Sequence, residues 1–179
     1  MFKEDRDGYR FQWKDLGDIA AGRPNLGDAT SVAVYRLMQY TLRDVLIVRY
    51  DPGTASEILR EAGKLAGIEF CRNILRTDLD FNGFVADVQT KLKEFGVGIL
   101  RMEKSDHAAL DFVMTISEDL DCSGLPLVDE TICEYDEGFL AGVFEVYTGR
   151  EFLVREIDCW ASGERTCRFT AKALDREAA

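Results

Sequence analysis

Residues 152–173 read FLVREIDCWASGERTCRFTAKA, and this pattern predicts a β-hairpin. Apolar and polar residues alternate in both arms, 152–159 and 166–173, as they do in strands that bury one face. Residues 161–164, Ala-Ser-Gly-Glu, supply the turn between the arms. The hairpin therefore predicts an antiparallel sheet at this end of the chain.

The inward face of the hairpin carries side chains that can bind a metal. Glu156 shares a face with the apolar residues of its strand, where an unpaired charge is costly. Cys167 also faces inward, and a symmetric turn would place Cys159 opposite it. Glu156 and Cys159 are three residues apart, so both can face the core only if the strand bulges near residues 157–158. The sequence predicts such a bulge.

Cys133 adds a third thiol at the expected start of a helix, where the helix dipole favours the thiolate. Three thiolates and one carboxylate suit a tetrahedral Zn²⁺ ion in a closed structural site. Two alternatives remain open on spacing alone. The cysteines could be free thiols that pack as small apolar residues, or Cys159 and Cys167 could form a disulfide.

Most of the helical pattern precedes the sheet. The apolar spacing, a possible N-cap at Asp28 and a capping box at 54–57 define the first helices. The expected elements in chain order are helices at 28–46, 54–75 and 81–95, strands at 97–102 and 108–117, and a helix at 134–147. This order, with hairpin connections, indicates an α+β fold in which helices cover an antiparallel sheet.

Small residues form a stripe on the second expected helix, at Ala62, Gly63, Ala66 and Gly67. The stripe favours close packing against another helix, and space for a ligand is the alternative interpretation. One ligand-binding domain is expected at 28–174. It would follow a lead segment, 1–27, whose aromatic residues could form a dimer contact, and precede a short tail, 175–179.

Composition restricts the classes of function. The 179 residues include 22 Lys and Arg against 33 Asp and Glu, for a net charge of -11. This charge repels phosphate and anionic lipid, so neither nucleic acid nor a membrane is expected as a partner. No apolar run reaches the roughly 18 residues that a membrane span needs. A charged amino terminus and an odd number of cysteines, five, predict a cytoplasmic protein and argue against a secreted disulfide framework.

Residues 156–169, EIDCWASGERTCRF, resemble the terminal signature of the 4-vinyl-reductase domain family. That signature is a Glu, a Cys three residues later, a turn Gly, and a second Cys with an aromatic residue close behind it. Residues 133–142, CEYDEGFLAG, are similar to the preceding helix of the family, and 54–70 to its early glycine-bearing helix. The resemblance covers about residues 23–174.

The resemblance implies a fold akin to vesicle-tethering complex subunits. It also implies a zinc site like that of the aromatic-sensing input domains of phenol-responsive activators. In those domains a Cys, a Glu and two further Cys hold a structural zinc, and the intervals agree with this chain. The implied zinc ligands are Cys133, Glu156, Cys159 and Cys167.

The function that follows is binding or sensing of a small apolar or aromatic molecule by a stand-alone domain. Its pocket is expected between the sheet and the helices, although the same apolar residues could simply fill the core. The expected lining is Phe84, Val88, Leu110, Phe112, Met114, Phe139, Val143 and Val154. No catalytic residue is predicted.

The alternative function is an enzyme or accessory protein for vinyl reduction of a tetrapyrrole such as bacteriochlorophyll. No flavin, nicotinamide or iron–sulfur motif supports that reduction. A homodimer is compatible with either function, and its contact would use the amphipathic helix at 29–46 and the N-terminal aromatic residues.

Overall fold

The computed structural model describes residues 4–175, which form a four-stranded antiparallel sheet with helices packed on it. The strands follow the order β1-β2-β4-β3 across the sheet, so β4 lies between β2 and β3. The predicted α+β class is confirmed. Their bounds are β1, Ile99–Asp106; β2, Asp111–Ser117; β3, Phe152–Asp158; and β4, Cys167–Ala173.

The helices occur in the predicted order. Within residues 4–175 they are α1, Ile19–Gly22; α2, Val32–Arg49; α3, Pro52–Ile74; α4, Phe81–Glu94; and α5, Glu134–Thr148. Short 3-10 helices occur at Trp13–Leu16 and Trp160–Ser162. None of these helices combines the length and the apolar character that crossing a bilayer requires.

Two predicted helix starts are wrong, because the capping groups differ from those expected. Ser31 caps α2 by accepting a hydrogen bond from the Ala33 amide, so α2 begins after Asp28. Asp51 caps α3 by accepting from the Thr54 amide, which puts the expected capping box inside the helix. A side-chain oxygen that satisfies a free N–H defines a helix start more directly than apolar spacing does.

The first hairpin also differs in its bounds. β1 extends to Asp106, whose carboxylate accepts from the amides of Ala108 and Ala109. Leu110 then adopts a positive φ of 49°, and β2 begins at the next residue. Residues 108–110, which the alternating pattern assigned to the second strand, therefore belong to the turn before β2.

Aromatic side chains fill the space between the sheet and the helices α4 and α5. The ring of Phe112 on β2 lies 5.2 Å from that of Phe144 on α5 and 5.0 Å from that of Phe81 on α4. Phe84 of α4 stacks on Tyr147 of α5 with ring centroids 3.8 Å apart. Both helices thus cover the same face of the sheet and build its core.

Glycines allow α3 to approach α5 with backbones in contact. A Cβ atom at Gly63 would lie 2.0 Å from the carbonyl oxygen of Tyr135, and one at Gly138 would lie 1.9 Å from that of Arg60. Gly67 is equally confined on the next turn of α3. The close-packing interpretation of these glycines is confirmed, since no larger residue fits there without moving a helix.

The helix α2 faces its own chain with its polar side. Tyr35 and Gln39 donate to the carboxylate of Asp121, at 2.7 Å and 2.6 Å, and Arg43 donates to the carbonyl of Ile132 at 2.8 Å. The opposite side is apolar and exposed, with residues Val34, Leu37, Met38, Leu42, Val45 and Val48.

Part of the predicted lead segment packs on the same chain. The ring of Trp13 lies 6.4 Å from that of Phe70 on α3. The backbone amide of Trp13 donates to the carboxylate of Glu69 at 2.7 Å. The division into lead segment, domain and tail stays a prediction. Of the predicted tail, residues 176–179 lie outside the described residues.

Candidate metal centre

Four buried thiols meet where the sheet joins α5. The sulfur atoms of Cys122, Cys133, Cys159 and Cys167 all lie within 4.8 Å of one another. The separations are 3.0 Å for Cys122–Cys167, 3.8 Å for Cys133–Cys159 and 3.9 Å for Cys133–Cys167. Four thiolates at about 2.3 Å from a tetrahedral Zn²⁺ ion would lie about 3.8 Å apart. The separations of 3.8 Å and 3.9 Å match such an ion, whereas the sulfur atoms of Cys122 and Cys167 would have to move apart by about 0.8 Å to bind it. None of the four thiols forms a disulfide.

The four thiols come from four separate segments. Cys122 lies in the turn after β2, Cys133 caps the start of α5, Cys159 follows β3, and Cys167 begins β4. The pairing of β2 with β4 sets Ile116 opposite Cys167, which brings the turn after β2 to the thiols. The strand order of the sheet therefore brings the four segments, and with them the four thiols, close together.

The predicted bulge is confirmed. Glu156 pairs with Phe169 across the β3–β4 ladder, and Asp158 pairs with Arg168, so the register shifts between them. The extra residue turns the strand, and both Glu156 and Cys159 are buried. The bulge therefore places a carboxylate and a thiol on the same side of the hairpin.

Glu156 lies beside the thiols and is not one of the four clustered groups. Its Oε2 atom accepts from the amides of Ile132, at 3.1 Å, and Cys133, at 3.0 Å. Its Oε1 atom has no hydrogen-bond partner among the described residues. Burial, and then the charge of Cys159, raises the pKa of Glu156 to about 8. Metal binding by Glu156 stays a prediction, while its contacts hold the segment that carries Cys133.

Cys122 belongs to this group although no sequence pattern predicted it. The hairpin signature contains two of the four thiols, whereas Cys122 lies in an irregular turn well before it. The turn is shaped by Asp119, which accepts from the amides of Asp121 and Cys122 at 2.8 Å and 3.1 Å. The odd number of cysteines was the available indication in the sequence, but it does not show which cysteine joins the group.

Hydrogen bonds among the thiols shift the pKa values of the individual cysteines in opposite directions. Hydrogen bonds from Cys122, Cys133 and Cys167 hold the pKa of the Cys159 thiol far below its usual value. Hydrogen bonding with Cys122, followed by Cys159 and Cys167, raises the pKa of Cys133. A cation bound between the thiols would favour the thiolate form of all four.

Buried carboxyl groups lie next to the thiols. Burial, and then the charge of Asp121, raises the pKa of Asp119 to about 6. Burial and the charge of Asp119 raise the pKa of Asp136 well above its usual value. Ionising these buried carboxyl groups is therefore costly unless a cation or a hydrogen-bond donor pairs with them.

The structure places the predicted ligand-binding residues mainly in the core. Leu110 and Phe139 are partly buried at its edge. Phe139 lines an apolar groove, and Val154 lines a different, more polar cleft. The six that belong to the core are Phe84, Val88, Phe112, Met114, Val143 and Val154.

The apolar groove lies beneath the lead segment and has a volume of about 380 Å³. Phe11, Trp13 and Leu16 form one wall, and α3 and α5 form the rest. The alanines of the small-residue stripe, Ala62 and Ala66, belong to this groove. The stripe thus serves two purposes, with glycines at the helix contact and alanines facing the groove.

Part of the chain matches a family model, and the fold of the chain is similar to that of several solved structures. Residues 112–173 match the model of the 4-vinyl-reductase domain. The phenol-responsive sensory domain of the transcription activator PoxR, solved with phenol, is 16% identical with a TM-score of 0.63, and the match covers 83% of this chain and 77% of that one. A vinyl-4-reductase family protein of Methanocaldococcus jannaschii is 18% identical with a TM-score of 0.61, and the match covers 94% of this chain and 100% of that one.

The third structure is a trafficking protein particle complex subunit 3 of Naegleria fowleri, covalently bound to palmitic acid. It is 11% identical with a TM-score of 0.64, and the match covers 80% of this chain and 95% of the other. The predicted likeness to vesicle-tethering subunits is therefore confirmed for the fold.

Proposed function

We propose, from the match of residues 112–173 to the 4-vinyl-reductase domain, that the chain is a zinc-stabilised domain that binds a small apolar or aromatic molecule. The observation that carries the proposal is the group of four buried thiols at Cys122, Cys133, Cys159 and Cys167. A small-molecule role is supported by the PoxR sensory domain and by the apolar groove beneath Trp13.

The zinc would have a structural role. Each of the four thiols is buried, and a tetrathiolate leaves no open position for a substrate. Zinc bound there would tie together the turn after β2, the start of α5 and the β3–β4 hairpin. Metal binding would then contribute directly to the free energy of folding.

Zinc content and thermal stability of the reduced protein test this role. We expect zinc in the wild type and a melting temperature that falls after chelation. Cys159→Ser should lose the metal from the thiol group and melt at a lower temperature. Cys71→Ser is the matched control, because Cys71 is also buried but lies on α3 outside the group. A wild type without zinc, and with stability unaffected by a chelator, would contradict the proposal.

The ligand site is proposed in the groove beneath the lead segment. Its volume of about 380 Å³ lies within the range of small-molecule pockets, about 300–1,000 Å³. Glu69 is a carboxylate in an otherwise largely apolar lining, and it accepts from the Trp13 amide. Phe139 connects the groove to the core, since its ring lies 5.3 Å from that of Phe70. The other seven residues predicted to contact ligand stay a prediction.

A homodimer is proposed through the exposed side of α2. Leu37, Met38 and Val48 are 65%, 64% and 78% exposed, and the polar side of the helix is occupied by its own chain. A continuous apolar face of this kind is rare on a monomer. A second copy is the occupant that fits, because the apolar side chains of this face can pack on their own equivalents across a two-fold axis.

A further inference from the structure

Two buried carboxyl groups lie directly against the thiol group. Ligand atoms of Asp119, Asp136 and Cys133 all lie within 4.8 Å of one another. Asp119 comes from the turn after β2 and Asp136 from the first turn of α5. Because Cys133 belongs to both groups, its sulfur is within reach of the other three thiols and of both carboxylates.

One oxygen of each carboxylate lacks a partner. Asp119 is 2% exposed and Asp136 is 6% exposed, and the Oδ2 atom of each has no hydrogen-bond partner among residues 4–175. The Oδ1 atom of Asp119 is already engaged by the amides of Asp121 and Cys122. Buried polar atoms are normally satisfied, so these two oxygens require a proton or a cation.

The protein supplies no cationic side chain to them. In the described part of the chain, neither Asp119 nor Asp136 forms an ion pair. Arg36 donates to the backbone carbonyls of Leu120, at 2.8 Å, Ser123, at 2.9 Å, and Asp119, at 3.4 Å, and not to either carboxylate. Arg43 pairs with Glu134. The nearby guanidinium groups are therefore committed elsewhere, and two buried carboxylates remain without a counter-charge.

We propose that Asp119, Asp136 and Cys133 bind a second divalent cation of the zinc class, with the Cys133 sulfur shared between the two ions. This inference rests on the proposed zinc at the four thiols. Carboxylate oxygen and thiolate sulfur are both ordinary ligands of Zn²⁺. A second dication would neutralise the buried carboxylates and satisfy their free oxygens.

Metal counting in asparagine variants tests the proposal. Asn replaces one carboxylate oxygen with an NH₂ group, which does not bind metal. At position 119 it keeps the oxygen that accepts from the amides of Asp121 and Cys122. We expect two Co²⁺ ions per chain when the reduced, metal-free wild type is loaded with Co²⁺, and one in Asp136→Asn and in Asp119→Asn. The sulfur-to-cobalt absorption of the thiol site should persist in both variants.

Asp87→Asn is the matched control, because Asp87 is 5% exposed but lies on α4 and is paired with Arg76. It should bind two ions. Spin coupling provides a second measurement, since two Co²⁺ ions joined by one sulfur should give a weakened paramagnetic resonance signal. That signal should recover in Asp136→Asn, which remains informative even if Asp119→Asn disturbs the turn.

Each other outcome has a separate meaning. One ion in the wild type and in every variant would overturn the second site and indicate that Asp119 and Asp136 share a proton. Two ions in both Asn variants would also overturn it, because the second ion would lie elsewhere. No ion in any protein would mean that the thiol site, and with it the proposed zinc-stabilised domain, is wrong.

Discussion

The sulfur of Cys122 lies 3.0 Å from that of Cys167, although the two residues are 45 positions apart in the chain. The contact follows from the strand order, because β2 ends beside the start of β4 and Ile116 pairs with Cys167. The turn after β2 then carries Cys122 back over the hairpin. A pairing between distant strands thus completes a group that the hairpin begins.

Two variants test whether the fourth metal ligand is Cys122, as proposed, or Glu156, as the sequence predicts. Cys122→Ser should remove one thiolate from the proposed set. We expect metal affinity to fall by at least about tenfold, because loss of a ligand should cost no less than loss of a residue that only orients a ligand, which typically costs about 10–100-fold. Glu156→Gln should retain the metal, because the Gln oxygen can still accept from the amides of Ile132 and Cys133. Competition with a zinc chelator measures both affinities.

The reverse result would favour the predicted set. If Glu156→Gln released the metal and Cys122→Ser retained it, Glu156 would be the fourth ligand. Cobalt absorption distinguishes the two cases independently, since its sulfur charge-transfer intensity scales with the number of bound thiolates. Cys71→Ser again serves as the control.

Gly138→Ala should destabilise the protein, because overpacking usually costs about 1–3 kcal/mol. The added Cβ would lie 1.9 Å from the Arg60 carbonyl oxygen, so α3 and α5 must separate. Ala contributes roughly 1 kcal/mol to helix formation over Gly, so the expected net loss of stability is up to about 2 kcal/mol. Urea unfolding of Gly22→Ala is the control, because a Cβ at Gly22 in α1 meets nothing within 4 Å. Equal stability of the two variants would mean that the helices can move apart freely.

Ala66→Phe should fill the groove and abolish ligand binding there. Trp13 lines the groove and Trp160 does not, and these are the two tryptophans of the chain. We therefore expect toluene or palmitate to change the emission of Trp13 in the wild type, and not in Ala66→Phe or Trp13→Phe.

Ala86→Phe is the control for the groove, since Ala86 lies on the exposed side of α4. It should bind like the wild type. If Ala66→Phe also bound like the wild type, by calorimetry as well as by emission, the groove would not be the site. The space between the sheet and the helices would then be the site to test, with Phe112 and Val143 as its first candidates.

The double variant Leu37→Glu/Leu42→Glu should convert the proposed dimer to a monomer. Both side chains lie on the exposed face of α2, and charges there would face the same charges on a second copy. Light scattering after size exclusion measures the mass. Leu127→Glu is the control, because Leu127 is 71% exposed but lies outside α2. A monomeric wild type at high concentration would remove the dimer from the proposal.

Local patterns accounted for the elements and for three of the four clustered thiols. The alternation in 152–173 is a property of neighbouring residues, so the hairpin and its bulge could be predicted from sequence. The glycines of α3 could be assigned to close packing for the same reason, since helical spacing defines a face. The helix starts at Ser31 and Asp51 were missed because several residues compete locally to cap each helix.

Apolar residues alone could not distinguish a pocket from a filled core. Phe84, Phe112 and Val143 have the composition of a ligand pocket, yet all three belong to the packed core, where the Phe112 ring lies 5.2 Å from that of Phe144. The difference depends on side-chain packing in three dimensions. The groove under Trp13 was missed because it forms only when the lead segment folds back on α3.

By itself, the sequence determined the α+β class, the hairpin with its bulge, and three thiols with a carboxylate near one another. The hairpin and its bulge depend on the backbone periodicity and on spacings of a few residues, whereas Cys133 was assigned from its place at an expected helix start and from the family resemblance. Only the tertiary structure decided that Cys122 joins the thiols, that Asp119 and Asp136 lie against Cys133, and that α2 exposes its apolar side. Those results depend on the pairing of β2 with β4 and on the docking of helices, where residues far apart in the chain compete for the same space.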